Sequence, residues 1–237
     1  MKTTIHRADS RGFANHGWLQ SSHTFSFAGY YNPDRIHFGA LRVLNDDTVK
    51  GGMGFGAHPH DNMEIVSIPL SGALEHRDTT GRHKIINQND VQIMSAGSGI
   101  EHSEFNASKT DPVKFLQIWL FPKKRDIAPR YDQQTFEPAD RHNRLQTVVA
   151  PEGSNEGLPI NQDAWFSLGN FDKGQSFSYT PKKAGNGLYL FVISGTVSAS
   201  GENLGPRDAI AVEDYSQLDV TTSEDAALLL MDLPMLA

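Results

Sequence analysis

No stretch of this 237-residue chain keeps an apolar period near 3.6 residues for long enough to build a substantial helix. Short apolar segments alternate with turn residues instead, and twenty-one glycines and twelve prolines are scattered between them. The segments from Phe38 to Leu44, Glu64 to Leu70, Val91 to Ser95 and Phe115 to Phe121 read as strands. In the second half, Ala164 to Gly169, Leu188 to Ile193, Ala209 to Val212 and Ala227 to Met231 read the same way. The pattern predicts an all-β protein of sandwich or barrel type, as one large or two small domains.

The two halves repeat one another. Ser71-Gly72, then Gly81, then Asp90 leading an apolar strand, then Leu120-Phe121-Pro122 make one series. Ser194-Gly195, then Gly201, then Asp208 leading a strand, then Leu233-Pro234 make the other. An internal duplication follows, with expected domains at residues 1–132 and 133–237. The copies differ in their chemistry. His58 and His60 lie fourteen and twelve residues before Gly72, and the same count back from Gly195 meets Pro181 and Lys183. All ten histidines fall at or before His142.

Within the histidine-bearing half, His58-Pro59-His60 and His102-Ser103-Glu104 each place two potential metal ligands one residue apart. On a strand, residues i and i+2 share a face, so each pair aims two donors at one point. Two such strands facing each other would close a site of three imidazoles and a carboxylate, suited to divalent Fe, Mn, Co, Ni, Cu or Zn. Glu64, taken to share the strand parity of His60, is a second candidate carboxylate. Glu101 falls on the opposite face from His102 and is expected to be exposed. Lone histidines are more often surface groups than ligands, and His6, His37, His76, His83 and His142 are read so; His16 and His23 are read as buried hydrogen-bonders.

Composition narrows the alternatives. A formal net charge of −7 gives no phosphate-neutralising surface, so direct nucleic-acid binding is not expected. The absence of cysteine removes disulfides, thiolate nucleophiles and iron–sulfur ligation. No segment approaches the about eighteen uninterrupted apolar residues of a membrane span, and the N-terminus carries no signal-like apolar run, so a cytoplasmic location is expected. Walker loops, nucleophile elbows and dinucleotide fingerprints are all missing.

The string from Gly52 through His58, His60 and Glu64, and that from Gly99 through His102 to Asn106, resemble the paired motifs of the cupin superfamily. Gly97 stands where a cupin usually has proline. A closer resemblance is to the pirin family, carried by His16-Gly17-Trp18-Leu19, His23-Thr24-Phe25-Ser26-Phe27, Leu41 to Asp47, Met94 to Gly99, His102-Ser103-Glu104, Gln117-Ile118-Trp119 and Pro129-Arg130-Tyr131. It implies two tandem cupin barrels (a bicupin) with metal in the N-terminal barrel only, held by His58, His60, His102 and Glu104, Glu104 being favoured over Glu64. It further implies iron(II) and quercetin 2,3-dioxygenase activity, in which Glu104 acts as the base toward a flavonol and dioxygen attacks the ring. Two other outcomes remain open at this point: an iron-bearing regulator that binds a transcription factor or metabolic enzyme, and a cupin enzyme with a different metabolic substrate. The aromatic N-terminal stretch of Phe13, Trp18, Phe25, Phe27, Tyr30 and Tyr31 either covers the barrel mouth or seals the core. Phe55 and Phe27 are the candidate substrate-facing rings.

Overall fold

The computed structural model describes residues 1–236, and among them no α-helix occurs, only two short 3₁₀ turns at Ala8–Ser10 and Pro138–Arg141. Four sheets lie in two similar pairs. The N-terminal pair has a seven-stranded sheet in the order Arg130–Thr135, Asp90–Ser95, Glu64–Ser71, Val113–Leu120, Leu41–Val49, Leu19–His23 and Gly12–Asn15. Its companion has four strands, Gly54–His60, Ile100–Asn106, Ala73–Asp78 and His83–Asn87. The C-terminal pair has seven strands, Lys2–His6, Ala209–Glu213, Asn186–Ser194, Ala226–Pro234, Trp165–Phe171, Leu145–Pro151 and Leu158–Ile160. Four more follow as Ser176–Tyr179, Leu218–Thr222, Val197–Ala199 and Glu202–Leu204.

The five central strands of the two long sheets follow the same order, and the repeated motifs sit at matching places. Gly72 and Gly195 each follow a matching strand with φ near +75° (75° and 77°), a conformation that excludes a β-carbon at low cost. Asp90 and Asp208 each open the next matching strand. Each carboxylate accepts a backbone N–H from three residues earlier, Asn87 at 2.8 Å and Gly205 at 3.1 Å. The edge position beside these strands is filled differently in the two copies. Arg130–Thr135 pairs along its whole length with Asp90–Ser95, running across residue 132. Lys2–His6, from the far end of the chain, pairs with Ala209–Glu213 in the C-terminal sheet. His6 is therefore buried rather than at the surface, its Nδ1 2.7 Å from the Tyr189 hydroxyl.

Alternation along the strands of the long sheet assigns each residue to one of two interiors. Val66, Ile68, Ile93, Leu116 and Ile118 pack in one cluster with Val149, Phe166, Tyr189, Phe191 and Leu229 of the second half. The two long sheets thus face each other across a shared apolar core, and each fully buried large side chain there contributes roughly 1.5–3 kcal/mol. The intervening residues point into the barrels. In the second barrel these are mostly apolar, including Leu188, Leu190, Val192, Ile210, Val212 and Leu230, and the buried Asp232 among them is bonded to Tyr179 and Asn186. In the first, one row across the long sheet is polar: His23 lies opposite Asn45, Asn45 opposite Gln117, Gln117 opposite Ser67, and Ser67 opposite Gln92. A barrel interior lined this way is suited to chemistry; the other is a packed core.

Candidate metal centre

The two ligand pairs lie side by side. Gly54–His60 and Ile100–Asn106 are hydrogen-bonded neighbours in the four-stranded sheet, not facing strands, and His102 is registered directly against His58. A β-bulge after His102 shifts the register so that Glu104 falls opposite Phe55. The imidazoles of His58, His60 and His102 converge, with donor atoms all within 4.8 Å of one another. His58 Nε2 and His102 Nε2 are 3.0 Å apart, and the buried His60 Nε2 has no hydrogen-bond partner among the described residues. Two nitrogens each about 2.1 Å from one ion and at right angles would be separated by about 3.0 Å, so the cluster fits a divalent metal.

Protonation also favours metal binding. Burial, with His58 beside it, pushes the pKa of His60 down to about 4. Burial together with His58, His60 and His76 pushes His102 down to about 2. Neutral imidazoles at pH 7 are what a metal requires. The Nδ1–H of His58 donates to the Gly56 carbonyl at 2.8 Å, which leaves Nε2 free to face the cluster.

His76, read from sequence as a surface residue, is fully buried beside this cluster. Its Nε2–H donates to Asp78 at 2.9 Å, and its Nδ1 faces His102 Nδ1 at 3.5 Å. It thereby orients the imidazole behind the candidate ligand atom, as outer partners of metal-binding histidines do. The signal was available in the sequence: His76-Arg77-Asp78 is a third i, i+2 pair of donors, on the strand next to His102. Glu104 joins His102 and His76 in a second group of donor atoms within 4.8 Å, so the two groups share His102. Its carboxyl accepts from Gln117 Nε2 at 2.7 Å and from the Ser67 hydroxyl at 3.2 Å. Burial pushes its pKa up to about 7 against the pull of those two donors.

Glu64 is elsewhere. The chain turns through Asp61, Asn62 (φ 46°) and Met63 before entering a different sheet, so parity counted from His60 does not carry across. Glu64 shares the face of Val66 and Ile68, toward the C-terminal half. Its carboxylate accepts from Ser95 Oγ at 2.7 Å and from the backbone N–H of Asn161 at 3.2 Å. Glu101 is exposed, as its parity requires.

A cavity of about 300 Å³ opens beside the cluster, between His58 and Glu104 on one wall and His23, Asn45, Asp47 and Trp119 on the long sheet. That volume is at the lower end for small-molecule sites. Phe55 and Phe27 both line it, Phe55 edge-on to Trp18 at 5.3 Å and Phe27 edge-on to Trp119 at 5.4 Å. The other aromatic residues of the N-terminal stretch divide: Phe25 belongs to the core between the halves, while Phe13 and Tyr31 are exposed. Tyr30 covers Gly12, where any β-carbon would come within 2.2 Å of its ring.

Two barrels joined through their long sheets, one of them with clustered imidazoles, define a two-cupin protein. Residues 5–120 match the family model described as Pirin, and residues 147–233 match that of the quercetinase C-terminal cupin domain. The chain is 39% identical over 230 residues to a protein of Escherichia coli K12 named quercetin 2,3-dioxygenase, covering 97% of this chain and 98% of that one. It is 38% identical over 225 residues to a pirin-like protein of Caulobacter vibrioides, covering 94% and 96%. The crystal structure of the bacterial pirin YhhW of Escherichia coli in complex with nickel(II) superposes with a TM-score of 0.94 at 37% identity, over 99% of this chain and all of that one. The chain belongs to the pirin family.

Proposed function

We propose that the protein is a metal-dependent dioxygenase of the quercetin 2,3-dioxygenase type. In this reaction one flavonol and one dioxygen give one ring-opened ester and one carbon monoxide. The observation that carries the reading is the convergence of three imidazoles, one of them at the wall of a cavity that is flanked by aromatic rings and holds a buried carboxyl. The full-length relative named quercetin 2,3-dioxygenase and the nickel(II) complex of a bacterial pirin support it.

In this reading His58, His60 and His102 hold a divalent metal, taken to be iron(II), with Glu104 as the fourth ligand or the base beside it. When bound, the metal supplies Lewis acidity that lowers the pKa of a phenolic hydroxyl and a redox centre for dioxygen. Glu104 accepts the proton of the flavonol 3-hydroxyl. Gln117 fixes one of its oxygens at 2.7 Å, so the base is already aimed when substrate arrives. Phe27, Phe55 and Trp119 flank the ring system and exclude water.

The test is oxygen uptake and carbon monoxide release by the iron(II)-loaded protein with quercetin. Both are expected in equal amounts, with at least a hundredfold lower rates in Glu104→Gln. Absence of both from the wild-type protein loaded in turn with iron(II), nickel(II) and manganese(II) would refute the reading.

A further inference from the structure

The cavity has a second polar feature that the metal chemistry does not use. His23, Asn45 and Asp47 line it from the long sheet, on strands opposite those carrying the imidazoles. All three are buried, at 3%, 2% and 4% exposure. Each nevertheless has a polar atom with no hydrogen-bond partner among the described residues: His23 Nδ1, Asn45 Oδ1 and Asp47 Oδ1. Leaving such groups unpaired is costly, and a leucine of nearly the same shape would avoid the cost. Three residues of one cavity wall thus carry polar atoms for which the chain supplies no partner.

The rest of the lining defines the ligand that would supply one. No lysine or arginine is among the described residues that line the cavity, while Asp47 and Glu104 both do. Without the metal, a carboxylate or phosphate entering it would meet two acids and no cationic side chain. A neutral ring with hydroxyl donors would meet acceptors along one wall and aromatic side chains around it.

We propose that His23, Asn45 and Asp47 form a recognition subsite for the phenolic hydroxyls of an uncharged aromatic substrate, on the long-sheet wall of the cavity. Resting on the dioxygenase reading, the subsite takes the hydroxylated pendant ring of a flavonol, while the 3-hydroxyl lies toward Glu104. It selects among flavonols by pendant-ring hydroxylation and rejects acidic aromatics of similar size.

The experiment measures binding without oxygen of quercetin and of the analogue lacking its two pendant-ring hydroxyls on metal-loaded protein, and of a hydroxybenzoate on metal-free protein. Wild type is expected to bind quercetin about tenfold more tightly than the analogue, the worth of about one good hydrogen bond, and the hydroxybenzoate least. Asn45→Leu and Asp47→Leu are expected to abolish the quercetin preference and to change analogue binding by less than about twofold. Neither variant should melt far below wild type, because each removes a buried polar atom without a partner, Asp47→Leu losing in exchange the acceptor of the Ser21 hydroxyl. Asp47→Asn, which keeps a hydrogen-bonding group, should retain part of the preference.

Equal loss of both flavonols, an unchanged preference, or a hydroxybenzoate bound as tightly as quercetin would overturn the subsite. If that occurs while wild type still consumes oxygen with quercetin, the subsite fails and the dioxygenase reading stands. If wild type neither binds nor turns over any flavonol, both fail.

Discussion

Asp47 gives the most quantitative prediction. Burial, with Asp46 and Glu104 nearby and only the Ser21 hydroxyl acting the other way, pushes its pKa up to about 7 from an ordinary value of 3.8. A carboxyl whose pKa is higher in the folded state binds more protons there than in the unfolded chain, between those two values. Stability from this group is therefore present in full below about pH 4 and is lost as pH rises to about 7, a total on the order of 4 kcal/mol. Histidines held neutral by burial, such as His60 and His102, tilt the absolute curve the other way below pH 6.5. That contribution is common to wild type and to Asp47→Asn, and it cancels in their difference. Urea unfolding of both proteins without metal should show Asp47→Asn gaining steadily on wild type from pH 4.5 to 7, by a few kcal/mol, and no further change from pH 7.5 to 8.5. A constant difference from pH 4.5 to 8.5 would refute the claim that this carboxyl is buried without adequate partners.

The neighbours of the imidazole cluster give two more predictions. His76→Phe keeps a buried ring against Tyr131 but removes the group between Asp78 and His102, so metal affinity by chelator competition should fall about 10–100-fold. An affinity within twofold of wild type would show that His76 does not orient His102. Glu64→Gln should retain its bound metal, because Glu64 bonds Ser95 and Asn161 away from the cluster, whereas Glu104→Gln should bind metal more weakly; the reverse order would exchange the two carboxylates' roles.

The parts of this structure legible in sequence are those governed by apolar burial or by short-range spacing. The strands led by Asp90 and Asp208 and the turns at Gly72 and Gly195 carry local signals, and the structure places them at matching positions. His58-Pro59-His60 and His102-Ser103-Glu104 were legible because alternation in a strand is a local rule. The strand expected to end at Leu44 continues to Val49 through Asn45, Asp46 and Asp47. Asn45 and Asp47 there face a barrel interior, and a reading based on apolar runs takes such a polar stretch for a loop. Glu64 was given the wrong face because the positive-φ turn at Asn62 moves the chain to another sheet. His6 gave no local signal at all, since its partner Tyr189 is 183 residues away.

Whether His58, His60 and His102 together hold a single divalent ion is tested most directly by elemental analysis. The protein would be measured as purified without added metal, and again after loading with iron(II) or nickel(II) and removal of the excess. One ion per loaded chain is predicted, falling to background in His58→Ala/His102→Ala, with both proteins equally folded by circular dichroism. Full occupancy in that double variant, or none in the loaded wild type, would contradict a metal centre built on these imidazoles.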